Sequence, residues 1–343
     1  MITRCKTCVM PDTRPDSPFI DGECPACISH RKRPSIDWEA RHQRLVDLLD
    51  RHHGEVIVPS SGGKDSTYQA ITLKEMGADV TAVTARTCHL TELGRANIDN
   101  LARHVRTIEV VPNMTVRAQL NRLAINLVGD ISWPEHAAIF STPFRVSEQI
   151  GVPLIMYGEN PQNQYGGPQG SDEALQMTRR WVSEFGGFLG LRPADFIGVE
   201  GITARDMHDY SPKYSSNVEA HFLGQYIPWD SQRNAGRAME AGMRCGLPSP
   251  ANWWRCENLD NAQTGVHDYF MFLKYGFGRG CQQISVNVRD GRVPREEALE
   301  WVGLHDGIRP VSYAGVDLPA VLDQIGMSLK AFQDAVTRFT SAR

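Results

Sequence analysis

No stretch of this chain approaches the ~18–20 unbroken apolar residues that a membrane-crossing helix requires, which excludes an integral helical membrane protein. The opening residues Met1-Ile2-Thr3-Arg4-Cys5 lack the apolar centre of a secretory leader, so the expected compartment is the cytoplasm. A basic excess is missing too. The 36 Lys and Arg stand against 40 Asp and Glu, for a net charge of −4 and a pI near 6.3. That balance weighs against a nucleic acid held through its phosphates. Eight cysteines in 343 residues are too few for a disulfide scaffold. At 41% hydrophobic and 22% charged the composition is that of a globular protein, with material for about two domains. Wholesale disorder, a collagen-like repeat and a coiled coil are excluded.

The cysteines are unevenly placed. Four form Cys5-x2-Cys8-x15-Cys24-x2-Cys27. Two CxxC turns at this separation match a structural zinc site, because each turn aims two thiolates at one point and two turns complete a tetrahedron. The segment between them has too little apolar content to fold unaided, so a metal would supply the missing stability. An iron–sulfur cluster, a redox pair or two disulfides are the alternatives. Four thiolates close the coordination sphere, so a zinc here has a structural role. Cys88, Cys245, Cys256 and Cys281 are scattered and read as small buried hydrophobes.

Two familiar phosphate loops are absent: there is no GxxxxGK[ST] and no GxGxxG after a strand. In their place a short apolar run, Glu55-Val56-Ile57-Val58-Pro59, leads into Ser60-Ser61-Gly62-Gly63-Lys64-Asp65-Ser66 and then a helical stretch. Strand, glycine loop and helix in that order make an anion site, since loop amides and a helix N-terminus point donors at one place. The bland alternative is a strand-to-helix turn with Ser66 as a cap. The SGGKDS segment resembles the SGGxDS pyrophosphate loop of the ATP pyrophosphatases. That resemblance implies a parallel α/β sheet of the Rossmann-like adenine-nucleotide α-hydrolase type, and cleavage of ATP between its α and β phosphates. It places Ser61, Gly62, Gly63 and Ser66 around the pyrophosphate and Asp65 beside Mg²⁺-bound ATP. Lys64 occupies the variable position of the motif. Residues 79–84 read as a second strand, with Val83 and Thr84 where such proteins seat adenine. Residues 105–110 and 152–157 read as third and fourth strands separated by helices, the pattern of a parallel sheet with its ligand at the C-terminal strand ends.

Beyond the fourth strand lies Gly158-Glu159-Asn160-Pro161-Gln162-Asn163-Gln164-Tyr165-Gly166-Gly167, polar and glycine-rich. It is either a surface loop or a ligand edge, with Gly158 and Glu159 on the nucleotide and Asn160, Asn163, Tyr165 and Gly166 on the acceptor. In Gly265 to Gly280 most aromatics read as core, whereas Lys274 and Arg279 are candidates to neutralise a departing pyrophosphate, or else a solvated basic face. Together with the CxxC pair these stretches resemble the N-acetyl sugar amidotransferase family of pseudaminic acid and LPS O-antigen biosynthesis, over roughly residues 1–305.

The resemblance implies a ligase that adenylates the acetamido oxygen of an N-acetylated sugar and replaces it with nitrogen, using ATP, Mg²⁺ and ammonia. Asp65, Ser66, Lys274 and Arg279 are the expected catalytic set. No glutaminase segment is recognisable, so ammonia would come from the free pool or a separate glutamine amidotransferase subunit. The oligomeric state stays open, a homodimer included. The expected layout is a zinc-ribbon-like four-cysteine module (1–34), a nucleotide-binding core (35–170), an acceptor-recognition insertion (171–260) and a C-terminal part with a helical cap (261–343). His136 and His267 read as proton carriers or as hydrogen-bonded structural histidines. Trp253-Trp254 reads as a sugar-stacking or a core pair. A thiolating enzyme acting on tRNA or a small molecule, and a silent nucleotide-binding scaffold, are the competing functions.

Overall fold

The computed structural model describes residues 2–168, 170–211 and 217–341. Helices α1 (Pro25–Lys32) and α2 (Trp38–Arg51) lead to β1 (Glu55–Pro59), α3 (Lys64–Glu75), β2 (Asp79–Ala85), α4 (Glu92–Leu101) and β3 (Arg106–Val110). Two longer helices, α5 (Met114–Val128) and α6 (Trp133–Ile150), return the chain to β4 (Leu154–Tyr157). Then come α7 (Pro161–Tyr165), α8 (Arg179–Phe185), β5 (Glu219–Phe222) and α9 (Ser231–Glu240). The remainder comprises α10 (Thr264–Tyr275), α11 (Arg279–Arg289), α12 (Arg295–His305), the ribbon β6 (Ser312–Tyr313) and β7 (Val316–Asp317), α13 (Leu318–Gln324) and α14 (Leu329–Phe339).

The main sheet has the order β3-β2-β1-β4-β5 and is parallel throughout. The chain steps outward from β1 to β3, then crosses back to place β4 on the other side of β1, with Ile57 opposite both Thr81 and Ile155. This reversal makes the β1–β4 crevice the place where an open α/β sheet takes its ligand. Val56, Ile57 and Val58 are all fully buried, as a strand covered on both faces must be. Val56 and Val58 pack with Leu45, Leu49 and Leu73 of α2 and α3, while Ile57 joins Phe144, Ile155, Trp181 and Phe222 on the opposite face.

Two expectations need correction. The 171–260 stretch is not wholly an insertion, because β5 lies within it and extends the sheet beside β4. A four-residue strand is too short to give an alternation signal in sequence. Cys245 and Cys256 are joined in a disulfide rather than standing as isolated small hydrophobes. Their side chains meet because residues 244–256 double back, Gly246 N–H donating to Arg255 O at 3.0 Å.

The cysteine module shares a core with the C-terminal region: Cys5, Cys8, Val9, Cys24 and Cys27 pack with Phe277, Cys281, Ile284, Ala298 and Val302. Arg295 on α12 donates to the carbonyls of Cys5 and Cys8 at 2.9–3.2 Å. A further core joins α10, α13 and α14 to Ile125 and Ile131. Among the described residues no helix is long and apolar enough to cross a membrane.

Candidate active site

The turn from β1 into α3 is fixed by its own hydrogen bonds. Ser60 N–H donates to Val83 O at 2.8 Å, tying the turn to β2. Ser60 Oγ accepts from Gly62 N–H at 3.0 Å and donates to Ser66 Oγ at 3.0 Å, closing the loop on itself. Gly62 has φ +74°, and a Cβ there would lie 2.7 Å from Ile98 N of α4, so conformation and space both require glycine. Gly62→Ala is expected to destabilise the protein by roughly 1–3 kcal/mol through strain alone, read as a lower midpoint in chemical denaturation. Gly63 is the N-cap of α3 and offers no side chain to cap it, leaving the first-turn amides available to an anion.

The loop opens into a cavity of about 500 Å³ at the C-terminal ends of β1, β2 and β4. Buried Lys64 bonds the Asp65 carboxylate, lies 3.9 Å from Glu257 Oε2 and sits 5.2 Å from the centre of the Trp254 ring. Asn234 Nδ2 donates to Asp65 Oδ1 at 3.2 Å. Burial, with Asp65 nearby, pushes the Glu159 carboxyl up to about 7. Arg279, at the start of α11, pairs with Asp268 at 3.0 Å and lies 3.8 Å from Glu257. Burial raises the Tyr165 phenol well above its usual range.

Of the residues expected from sequence, Ser61, Gly63, Lys64, Asp65, Ser66 and Val83 line this cavity, and so do Gly158, Glu159, Tyr165 and Arg279. Gly62 lies within the loop itself. Four others sit elsewhere. Lys274 donates to Val128 O at 3.2 Å and does not line the cavity, because α10 ends in a left-handed reversal at Gly276 (φ +79°) that separates it from Arg279. Asn160 caps α7, accepting from Gln162 N–H at 3.0 Å and donating to Ser171 O at 2.9 Å. Gly166 faces Ser17 and Ala26 of the cysteine module. Thr84 is buried in β2, away from the lining. The Asn163 side chain lies outside the described residues.

Sequence reasoning missed Glu257 and Asp260. Both follow the Trp253-Trp254 pair within six residues, and both line the cavity. Burial pushes the Asp260 carboxyl up to about 6. Trp254 underlies Lys64, while Trp253 packs edge-on against Trp301, centroids 5.3 Å apart.

At the N-terminal module the Sγ atoms are 3.7 Å apart for Cys5–Cys27, 3.6 Å for Cys8–Cys24 and 3.5 Å for Cys24–Cys27. A zinc tetrahedron with arms of about 2.3 Å has S···S edges of roughly 3.8 Å, so the donor set fits zinc, and none of the four is in a disulfide. The module reaches the cavity wall: Arg14 Nη1 donates to Tyr165 O at 2.7 Å, and the Thr13 hydroxyl donates to Tyr275 O.

A parallel sheet in this order, with an SGGKDS turn from its central strand into an uncapped helix, defines an α/β protein of the phosphate-loop, ATP-pyrophosphatase fold. Within that class, residues 251–343 match the family model described as the LPS biosynthesis protein WbpG-like, C-terminal domain. That segment carries Glu257, Asp260, His267 and Arg279, one wall of the cavity. Similar solved structures include NMN synthetase from Francisella tularensis, 14% identical over 60% of this chain and 96% of that one, with a TM-score of 0.23. NAD+ synthetase from Burkholderia pseudomallei is 14% identical over 63% and 91%, with a TM-score of 0.28. No curated protein matches the chain.

Proposed function

We propose that this chain is an AMP-forming ligase that adenylates the acetamido oxygen of an N-acetylated, nucleotide-linked sugar and exchanges that oxygen for an ammonia-derived nitrogen. The observation that carries the reading is a self-closed serine–glycine loop before an uncapped helix, facing a wall supplied by a WbpG-like segment. In this reading the amides of Ser61 to Ser66 and the Ser66 hydroxyl hold the departing pyrophosphate. Lys64 and Arg279 offset its charge. Asp65 and Glu159 would hold Mg²⁺, whose carboxylate-oxygen preference they meet; the ion would neutralise charge on the phosphates. Val83 and its neighbours on β2 face the adenine.

Amide chemistry explains the use of ATP. An amide carbon is a poor electrophile and its oxygen leaves badly. Once that oxygen has displaced pyrophosphate from the α-phosphorus, the carbon bears an adenylate, a good leaving group. Ammonia then attacks, AMP departs, and a cationic amidine remains. Ammonia would be drawn from solution or from a separate glutaminase subunit.

Incubation with ATP, MgCl₂, ammonium chloride and a panel of UDP-diacetamido sugars is expected to yield AMP and pyrophosphate. The sugar product is expected one mass unit lighter by mass spectrometry. Formation of ADP, or AMP release indifferent to sugar, would remove the reading. One observation favours a second reading: Cys256, paired with Cys245, lines the cavity, as a sulfur-transfer enzyme would require. A heavier thiocarbonyl product in the same assay with a sulfide donor would select it.

A further inference from the structure

The cavity also contains titratable groups for which adenylation has no use. His136 on α6 and His267 on α10 both line it. Buried Asp130, just before α6, pairs with His267 Nδ1 at 2.7 Å and accepts from Ser132 N–H at 2.8 Å. Its second oxygen lies 3.8 Å from His136 Nδ1, and the two imidazoles meet edge to face with centroids 5.3 Å apart. The Nδ1 contact to a carboxylate fixes the His267 tautomer and leaves Nε2 as the atom that can take a proton. The other charged groups near the pair are committed elsewhere. Glu135 bonds Arg117 at 3.0 Å and Asn121 at 2.8 Å, Asp268 holds Arg279, and Lys274 is bonded to Val128 O.

We propose that His267, oriented by Asp130 and flanked by His136, is the general base that removes a proton from the incoming ammonia nitrogen. This rests on the amidotransferase reading above. As the nitrogen lone pair forms the new C–N bond, the attacking atom becomes a cationic ammonium in a tetrahedral intermediate. His267 Nε2 accepts one of its protons, which prevents the amine from leaving again. The C–O bond to AMP then breaks, AMP keeps the bonding pair, and the nitrogen lone pair completes C=N. Environment separates the two imidazoles: Asp130 raises the pKa of His267 against its burial, while burial lowers that of His136. Adjacent groups held apart in this way suit acid–base work.

Two half-reactions test the assignment. Sugar-dependent exchange of radiolabelled pyrophosphate into ATP reports adenylation, and amidine formation from ammonium chloride, or amidoxime formation from hydroxylamine, reports attack. His267→Gln is expected to keep exchange near the wild-type rate and to lose about 10²–10⁴-fold in ammonia-dependent turnover. Hydroxylamine, which attacks without needing the base, should recover much of that loss. Asp130→Asn should move the acid limb of the kcat–pH profile to lower pH, because the carboxylate that raises His267 is gone. Equal loss of exchange and product would overturn the assignment in favour of a structural role. So would undiminished amidine formation, or a stoichiometric metal that the His267→Gln variant no longer holds. A wild-type protein giving no sugar-dependent exchange would remove the ligase reading itself, and this inference with it.

Discussion

Asp65→Ala and Ser66→Ala should each lower sugar-dependent AMP formation by at least about 10²–10³-fold, the usual cost of removing one preorganised group from a charged transition state. The two act differently. Ser66 Oγ receives the Ser60 hydroxyl, so its loss breaks the bond closing the loop as well as removing the hydroxyl proposed to face the leaving group. Asp65 partners Lys64 and Asn234, and without it Lys64 would lean toward Glu257. Neither position is a core contact, so thermal unfolding should shift by only a few degrees, consistent with a change of about 1 kcal/mol or less. Wild-type turnover in either variant would take the loop out of the reaction. A collapse in stability would make it a structural turn.

Cys24→Ser should release the metal and unfold the N-terminal module. Structural zinc supplies about 10–16 kcal/mol of apparent binding energy in small metal-dependent folds. Here the four cysteines lie inside a core shared with α11 and α12, so the loss would spread. Zinc content measured by mass spectrometry should fall below one per chain. Proteolysis should begin before residue 35, and activity should drop because Arg14 no longer steadies the Tyr165 backbone. An iron signal in place of zinc would correct the metal. Unchanged melting after complete metal loss would show that packing alone holds the module.

What was legible in the sequence was local. The SGGKDS turn, the CxxC pairs and the alternation of strands with helices are each contained within a few tens of residues, where spacing and chemistry decide the structure. Features made by distant segments were not. Asp130 and His267 are 137 positions apart, and no periodicity brings them together. Cys245–Cys256 gave no CxxC signature. Lys274 and Arg279 lay five positions apart in one basic stretch, and only the reversal at Gly276 put one at the cavity and the other against α5. Asn160 stands in sequence between Glu159 and Tyr165, which line the cavity, yet its amide is spent holding a one-turn helix. Glu257 was overshadowed by two tryptophans.

The segment that matches a family model, 251–343, does not coincide with a unit of folding. Phe277, Ile284 and Val302 have the extreme N-terminus as their other half, and Phe270 and Phe332 complete their packing with Ile125 and Ile131. Expressed alone, this piece would present two raw apolar faces to water and should aggregate. Moving it into another chain would require both the first thirty residues and the α5–Ile131 segment to travel with it.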